Sequence, residues 1–432
     1  MRVLPLILSA ALCALTQGAA ANGFTTLKGH GGPVMGLAAN TVGDIASASF
    51  DNSVGFWRKE RPLWLEGHDA AVVDVVFAGD TEIISGGDDF SVRLWRDGES
   101  ELLGRHRGKV TDLEVSPDRS RVASASWDGT VGIWSLRGEA HFRFDQHDAG
   151  FSDVAFSSDG KRLFAATSAG EIVIYDLATR DRPRVLVRNG FGINEMILGP
   201  GDAWLAYGAV DGVTRVVDPL TGDQLSDFTL DRRPILAMAF DPVNQQIAVG
   251  DGHGYIMIID TGRWIIVRDF RAMREGPVWA LAFDPEGETI YAGGLDNVIF
   301  RWPVALLDAF APAENVERSF LRDADEMSNG ERQFMRKCSI CHSLERDGGR
   351  KAGPTLHGVF GRPAGSLPGY RYSQTLLTSQ IVWSENTIDA LFDEGPDHYI
   401  PNSKMPMQRI TAAQDRDDLI AYLKRETSAE GE

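Results

Sequence analysis

Cysteine is scarce in this chain: there are three in 432 residues, at positions 13, 338 and 341. Disulfide-stapled folds need several spaced bridges, so that class is excluded. Basic residues are in deficit. The 43 Lys and Arg face 61 Asp and Glu, a formal charge of −18. Nucleic-acid binders need a basic footprint that releases phosphate counterions, and the balance here is the opposite. Long apolar runs are also missing. The one near the N-terminus, Val3 to Leu15, has 13 residues, whereas a membrane-spanning helix needs about 20. Arg2 precedes it, and small residues with Ala19 and Ala21 follow. This is the layout of a cleavable secretory signal over residues 1–21. The expectation is an exported, periplasmic protein with no nucleic-acid partner and no stable membrane insertion. Cys13 would leave with the signal, and only Cys338 and Cys341 would remain.

Glycine is abundant, 46 residues, which points to many tight turns. Four segments align with one another. They end at Trp57, Trp95, Trp134 and Tyr175, and the same position recurs at Val217, Ile259 and Trp302. The steps are 38, 39, 41, 42, 42 and 43 residues. Repeats of this length, with strand-like alternation and Gly/Asp/Asn turns, indicate a β-propeller of seven units. In the first three, His30, His68 and His106 follow a shared entry position. Ser47, Ser85 and Ser124 stand ten residues before the Trp, and Asp51, Asp89 and Asp128 stand six before it.

These residues closely resemble the WD40 family across residues 22–304. The resemblance implies a buried Asp–His–Ser–Trp hydrogen-bond network within each blade, which accounts for the histidines without a metal. The pattern degenerates in repeats four to six, where Ala169, Asp211 and His253 take the Asp position, and recovers at Asp296 and Trp302. The resemblance also implies that the segment Phe24–Lys28 closes the ring as the outer strand of the seventh blade, beside Asn297–Val304.

After Pro303 the alternation stops. Residues 305–325 read as a polar linker, residues 326–426 as a helical domain, and 427–432 as a tail. Cys338, Cys341 and His342 form Cys-x-x-Cys-His, the attachment signature for c-type haem. By itself, Cys-x-x-Cys also suits a redox dithiol or half a zinc site. Gly353–Arg362, Pro368–Ser373, Trp383 and Tyr399–Pro406 follow in order. Together these segments resemble the mitochondrial-type class I cytochrome c family, an all-α fold. The resemblance implies one covalent haem c held through Cys338 and Cys341. Its iron would be ligated by His342 and, on the other side, by Met405; Met407 is the rival ligand, while Met327 and Met335 fall near the first helix. It further implies that Pro354 offers its carbonyl to the His342 ring, and that Arg362, Tyr370, Tyr372, Trp383 and Ser403 surround the haem propionates. Phe334, Leu419 and Tyr422 would join the first and last helices.

The sequence also departs from that family. The family Asn near position 376 is Leu376, one residue is inserted between Trp383 and Pro401, and the family Tyr that reaches the methionine falls at Leu391 or Phe392. From residue 305 on, 15 basic residues face 20 acidic ones, so the family's lysine ring is mostly missing. Lys404 and Arg409 are candidates for a local positive spot.

The combined expectation is an electron carrier rather than an enzyme, exchanging single electrons with redox partner proteins while the propeller docks a protein partner. Two alternatives remain: a two-centre oxidoreductase whose propeller holds a second cofactor or substrate, and a haem-based redox sensor.

Overall fold

The computed structural model describes residues 25–307 and 327–428, apart from 139, 145, 230–233, 274–275, 402 and 406–407. The signal reading over 1–21, most of the linker reading and Met407 lie outside the described residues.

Residues 25–303 form seven four-stranded antiparallel sheets. Their innermost strands begin at Val34, Val72, Val110, Phe151, Ile193, Ile235 and Val278. Each packs on the innermost strand of the next blade, and the seventh packs on the first, so the ring is closed. The closure uses the N-terminal strand. Thr25–Lys28 pairs antiparallel with Val298–Pro303, Thr25 opposite Arg301 and Lys28 opposite Val298. An otherwise exposed sheet edge is thereby paired.

Central strands such as Ile45–Ser49 and Val131–Ser135 are buried at every position. Both faces of such a strand meet a neighbouring blade, so hydrophobic and small residues run continuously instead of alternating. The residue at the repeating Trp position is buried in every blade, including Tyr175, Val217 and Ile259.

The first three blades contain the buried network. The Ser85 Oγ receives the Trp95 indole N–H at 2.7 Å and lies 2.7 Å from His68 Nε2, while His68 Nδ1 lies 3.0 Å from Asp89. Blade one repeats this through Trp57, Ser47, His30 and Asp51. In blade three His106 Nδ1 instead meets Thr130 Oγ1 at 2.9 Å, and Asp128 stands off at 3.5 Å. In blade four Tyr175 replaces Trp and stacks on Phe144 with ring centroids 4.1 Å apart. In blade five Asp211 turns to Arg215, at 2.7 Å.

A second set of polar contacts joins blade to blade. Asp74, Asp112 and Asp153, each third in its innermost strand, accept the backbone N–H of Leu113, Val154 and Met196 in the next blade, at 2.9, 3.0 and 2.7 Å. Burial pushes Asp74 up to about 6, and burial followed by repulsion from neighbouring acids raises Asp112, Asp153 and Glu195. Burial followed by the Asp74 charge pushes Glu114 up to about 8.

A short 3₁₀ turn at Val304–Leu306 follows the last blade, and Leu307 is buried against it. The propeller core therefore runs a few residues into the expected linker. The C-terminal unit contains α1 (Asn329–Lys337), α2 (Gln374–Leu377), α3 (Glu385–Glu394), α4 (Pro396–Tyr399) and α5 (Ala413–Glu426). Ser328 caps α1 by accepting the Glu331 N–H, and Ser384 with Thr387 forms a capping box on α3, each satisfying an orphan helix-end donor. α1 crosses α5 at Gly330, where a Cβ would lie 2.0 Å from the Asp418 carbonyl oxygen. Beside that crossing Phe334 packs on Tyr422, with ring centroids 5.8 Å apart, over buried Leu419. Arg416 on α5 ties down α3 through Asp389 and Asp393, at 2.6 and 3.0 Å. No helix among the described residues is long and apolar enough to cross a membrane.

Candidate cofactor site

The C-terminal end of α1 places Cys338 as its buried cap residue, and a tight turn follows in which the Cys341 and His342 N–H groups both return to the Cys338 carbonyl, at 3.0 and 2.8 Å. Three residues are enough to turn both thiols and the imidazole toward one cavity of about 570 Å³. The loop from Gly353 closes over the imidazole. A Cβ at Gly353 would stand 2.4 Å from His342 Cε1, so only glycine allows this approach.

His342 Nδ1 lies 2.7 Å from the Pro354 carbonyl oxygen. A carbonyl only accepts, so the ring proton sits on Nδ1 and the Nε2 lone pair is left available. Burial lowers the pKa of His342, which keeps the ring neutral. Burial also pushes Cys338 up to about 12 and Cys341 to about 11. Neither has the depressed pKa of a reactive dithiol.

All ten residues singled out from the sequence line this one cavity: Cys338, Cys341, His342, Pro354, Arg362, Tyr370, Tyr372, Trp383, Ser403 and Met405. Most also hold the wall together. Arg362 donates to the carbonyls of His357 and Thr355, at 3.0 and 2.8 Å. Tyr370 donates to Ala352 at 2.6 Å, and Ser403 Oγ accepts the Met405 N–H at 3.1 Å. Trp383 is fixed by backbone bonds with Gly361 and Arg362. Apolar side chains from α3 and α5, including Ile388, Leu391, Phe392 and Leu423, complete the wall.

A WD-domain (G-beta repeat) family profile matches residues 23–58, 61–96, 100–135, 138–176 and 266–302. A cytochrome c family profile matches residues 327–426. Cytochrome c of Gibberella zeae is 42% identical over 102 residues, which is 24% of this chain and 95% of the relative. Cytochrome c of Sesamum indicum is 42% identical over 104 residues, 24% of this chain and 92% of the relative. That of Gossypium barbadense is 44% identical over 100 residues, 23% of this chain and 88% of the relative. The chain belongs to the cytochrome c family. Membership implies electron transfer through covalent haem c, and redox partners with it. The unit that precedes the cytochrome c domain is a WD40 propeller, a fold that implies protein interactions.

One part of the cavity wall was not legible in the sequence. Phe50, Asn52, Asp69, Ala70, Ala71, Asp88 and Asp89 of the propeller line the same cavity as the cytochrome c residues. They come from loops at one end of blades one and two. Lys404, read from the sequence as a positive spot, is turned onto them: its Nζ lies 2.8 Å from Asp69 Oδ1. Arg409 is used elsewhere, donating to the Asp393 carbonyl at 2.8 Å. Leu391 and Phe392 are both buried in the wall, and neither carries a hydroxyl toward Met405.

Proposed function

We propose that this protein is a periplasmic single-electron carrier whose haem is bound at Cys338 and Cys341 and ligated by His342 and Met405, with the WD40 propeller as a docking platform. The observation that carries this reading is the joint placement of two thiols, a neutral imidazole with Nδ1 committed to Pro354, and a methionine around one largely apolar cavity. The donor set suits haem c, in which thiols add to vinyl groups and the iron takes His and Met axial ligands. The cavity also contains a buried polar atom without a protein partner, Gln408 Oε1.

Bound there, the haem would supply a reversible Fe(III)/Fe(II) couple. The protein's own contributions are separable. Pro354 fixes the orientation and basicity of the ligating ring. Arg362, Tyr370 and Tyr372 supply cationic and hydroxyl character at one side of the cavity. The apolar wall of Ile388, Leu391, Phe392 and Leu423 excludes water. Ligation by His342 and Met405 together would favour electron transfer over chemistry at the iron. Export is supported by the signal-like layout of residues 1–21.

The test is production in a bacterial periplasm with haem c maturation, followed by iron analysis and an alkaline pyridine haemochrome spectrum. One haem per chain is expected, lost when Cys338 and Cys341 are both changed to Ala. Haem-free protein, or a second chromophore on the chain, would overturn the reading.

A further inference from the structure

The contact between the two units is one-sided in charge. Among the described residues, every ion pair across it takes its cation from the cytochrome c domain and its carboxylate from the propeller. Lys404 Nζ meets Asp69 Oδ1 at 2.8 Å, and Arg371 approaches the same carboxylate at 3.9 Å. Arg350 Nη1 pairs with Glu66 at 2.7 Å, and its Nε lies 3.8 Å from Asp51. The Arg350 guanidinium also lies over the Trp64 ring, 4.7 Å from its centre, a cation–π contact. The surfaces come very close at Gly31, where a Cβ would stand 1.5 Å from the Arg350 carbonyl oxygen. The three atoms nearest to that hypothetical Cβ all belong to Arg350 and Lys351. Glycine at this position is therefore demanded by the contact between units rather than by the propeller itself.

This contact lies over the cofactor cavity. Phe50, Asn52, Ala70 and Ala71 form part of the cavity wall beside Asp69. A protein approaching that side meets blades one and two before it meets the cytochrome c domain. The carboxylates of the two closest pairs stay half-exposed, Asp69 at 47% and Glu66 at 54%, while Lys404 and Arg350 are more buried, at 20% and 29%. Ion pairs of this kind are weak and are screened by salt, so they suit a contact that opens and closes.

We propose that the acidic rim of blades one and two is an intramolecular cap on the cofactor cavity, latched by Lys404–Asp69 and Arg350–Glu66, and that a protein redox partner gains the cavity's edge only when the latch opens. The inference rests on haem occupying the cavity. The partner it fits is a protein that presents carboxylates of its own and competes with the rim for Lys404, Arg350 and Arg371. The cap thus holds the place that such a partner would take.

The test uses the full chain in three forms. Gly31→Ala wedges the contact without changing charge. Glu66→Arg with Asp69→Lys reverses the rim, and adding Arg350→Glu with Lys404→Glu swaps the charges across the contact. Two readouts are taken at low and high salt: the radius of gyration by small-angle X-ray scattering, and the rate of electron exchange with a small reagent (ferricyanide) and with a protein acceptor (azurin). The wedge and the rim reversal are expected to raise the radius of gyration at low salt. They are also expected to speed exchange with azurin several-fold more than exchange with ferricyanide. The charge swap should restore both values toward wild type. An unchanged radius and an unchanged azurin-to-ferricyanide ratio in both opened forms would overturn the proposal. Failure to load haem would be seen in the absorption spectrum and would count against the proposed function, while scattering on the haem-free chain would still report the latch.

Discussion

The carbonyl of Pro354 accepts a hydrogen bond from His342 Nδ1 across 2.7 Å, and the residue before it, Gly353, presses against the face of the same ring. These two neighbours fix different things. The carbonyl sets the tautomer and electron richness of the imidazole, and the glycine sets its position. Replacing Gly353 with Ala puts a methyl 2.4 Å from His342 Cε1, closer than van der Waals contact allows. Overpacking of this kind costs about 1–3 kcal/mol. The expected outcome is a lower melting temperature of the C-terminal unit and an altered haem spectrum, with the propeller transition unmoved. A wild-type spectrum from Gly353→Ala would show that the loop relaxes without moving the ligand.

The blade networks make a separate prediction. Ser85 Oγ satisfies both the Trp95 indole and the His68 ring. Ser85→Ala leaves two buried groups without their partner, at about 1–3 kcal/mol each. A loss of about 2–6 kcal/mol is expected in urea unfolding of the propeller. In blade five the partly buried Asp211 pairs with Arg215 and belongs to no Ser–His–Trp network, and Asp211→Ala should cost about 1–2 kcal/mol. Equal losses for the two variants would mean that the network contributes nothing special.

How much of this was legible in the sequence follows from where the information lies. The ring was legible because each repeat has its own strand alternation and, in the first three, its own polar tetrad. Blades five and six lost the tetrad yet kept buried apolar residues at Val217 and Ile259, and their sheets still form all four strands. The cytochrome c side of the cavity was legible because its residues come in a fixed local order. The propeller side was not. Asp69 and Lys404 are 335 residues apart, and no periodicity or motif links an acidic loop on one unit to a lysine on the other. Gly31 reads in the sequence as one more turn glycine, and only the contact with Arg350 gives it another purpose.

Acidity should act on the propeller in two opposite ways. Asp51 is buried, which pushes its pKa up. Hydrogen bonds and attraction from His30, with the Gly31 N–H and Ser53, outweigh that and hold it at about 2, below its ordinary 3.8. A depressed acid stabilises the fold above the unfolded value, and this contribution is lost as pH falls from 3.8 toward 2. The inner acids run the other way. Asp74 is raised to about 6 and Glu114 to about 8, so the folded state holds their protons while the unfolded chain releases them. Their contribution is fully present below the unfolded values and is lost as pH rises through 6 and 8. Propeller stability is therefore expected to peak in mildly acidic solution and to decline toward pH 8.5. Glu114→Gln should flatten the decline above pH 6, because each tenfold difference in proton affinity between the folded and unfolded chain is worth ~1.4 kcal/mol. A melting temperature that is level from pH 5 to about 8.5 in wild type would show that these acids ionise freely in the fold.

Met405 supplies the sharpest test of the proposed ligand set. It lines the cavity beside Ser403, whose hydroxyl accepts its backbone N–H, so the side chain's approach is set by a short, hydrogen-bonded turn. A thioether opposite an imidazole favours Fe(II) and raises the potential relative to nitrogen ligation. Met405→Ala should leave covalent haem in place, because Cys338, Cys341 and His342 are untouched. It should also open the sixth position. The expected readouts are a lower reduction potential by spectroelectrochemistry and new binding of cyanide or imidazole that the wild type resists. Met405→His should close the site again, with a potential that stays low. If Met405→Ala kept the wild-type potential and still refused exogenous ligands, the sulfur on the iron would be that of Met407, two residues further along the chain.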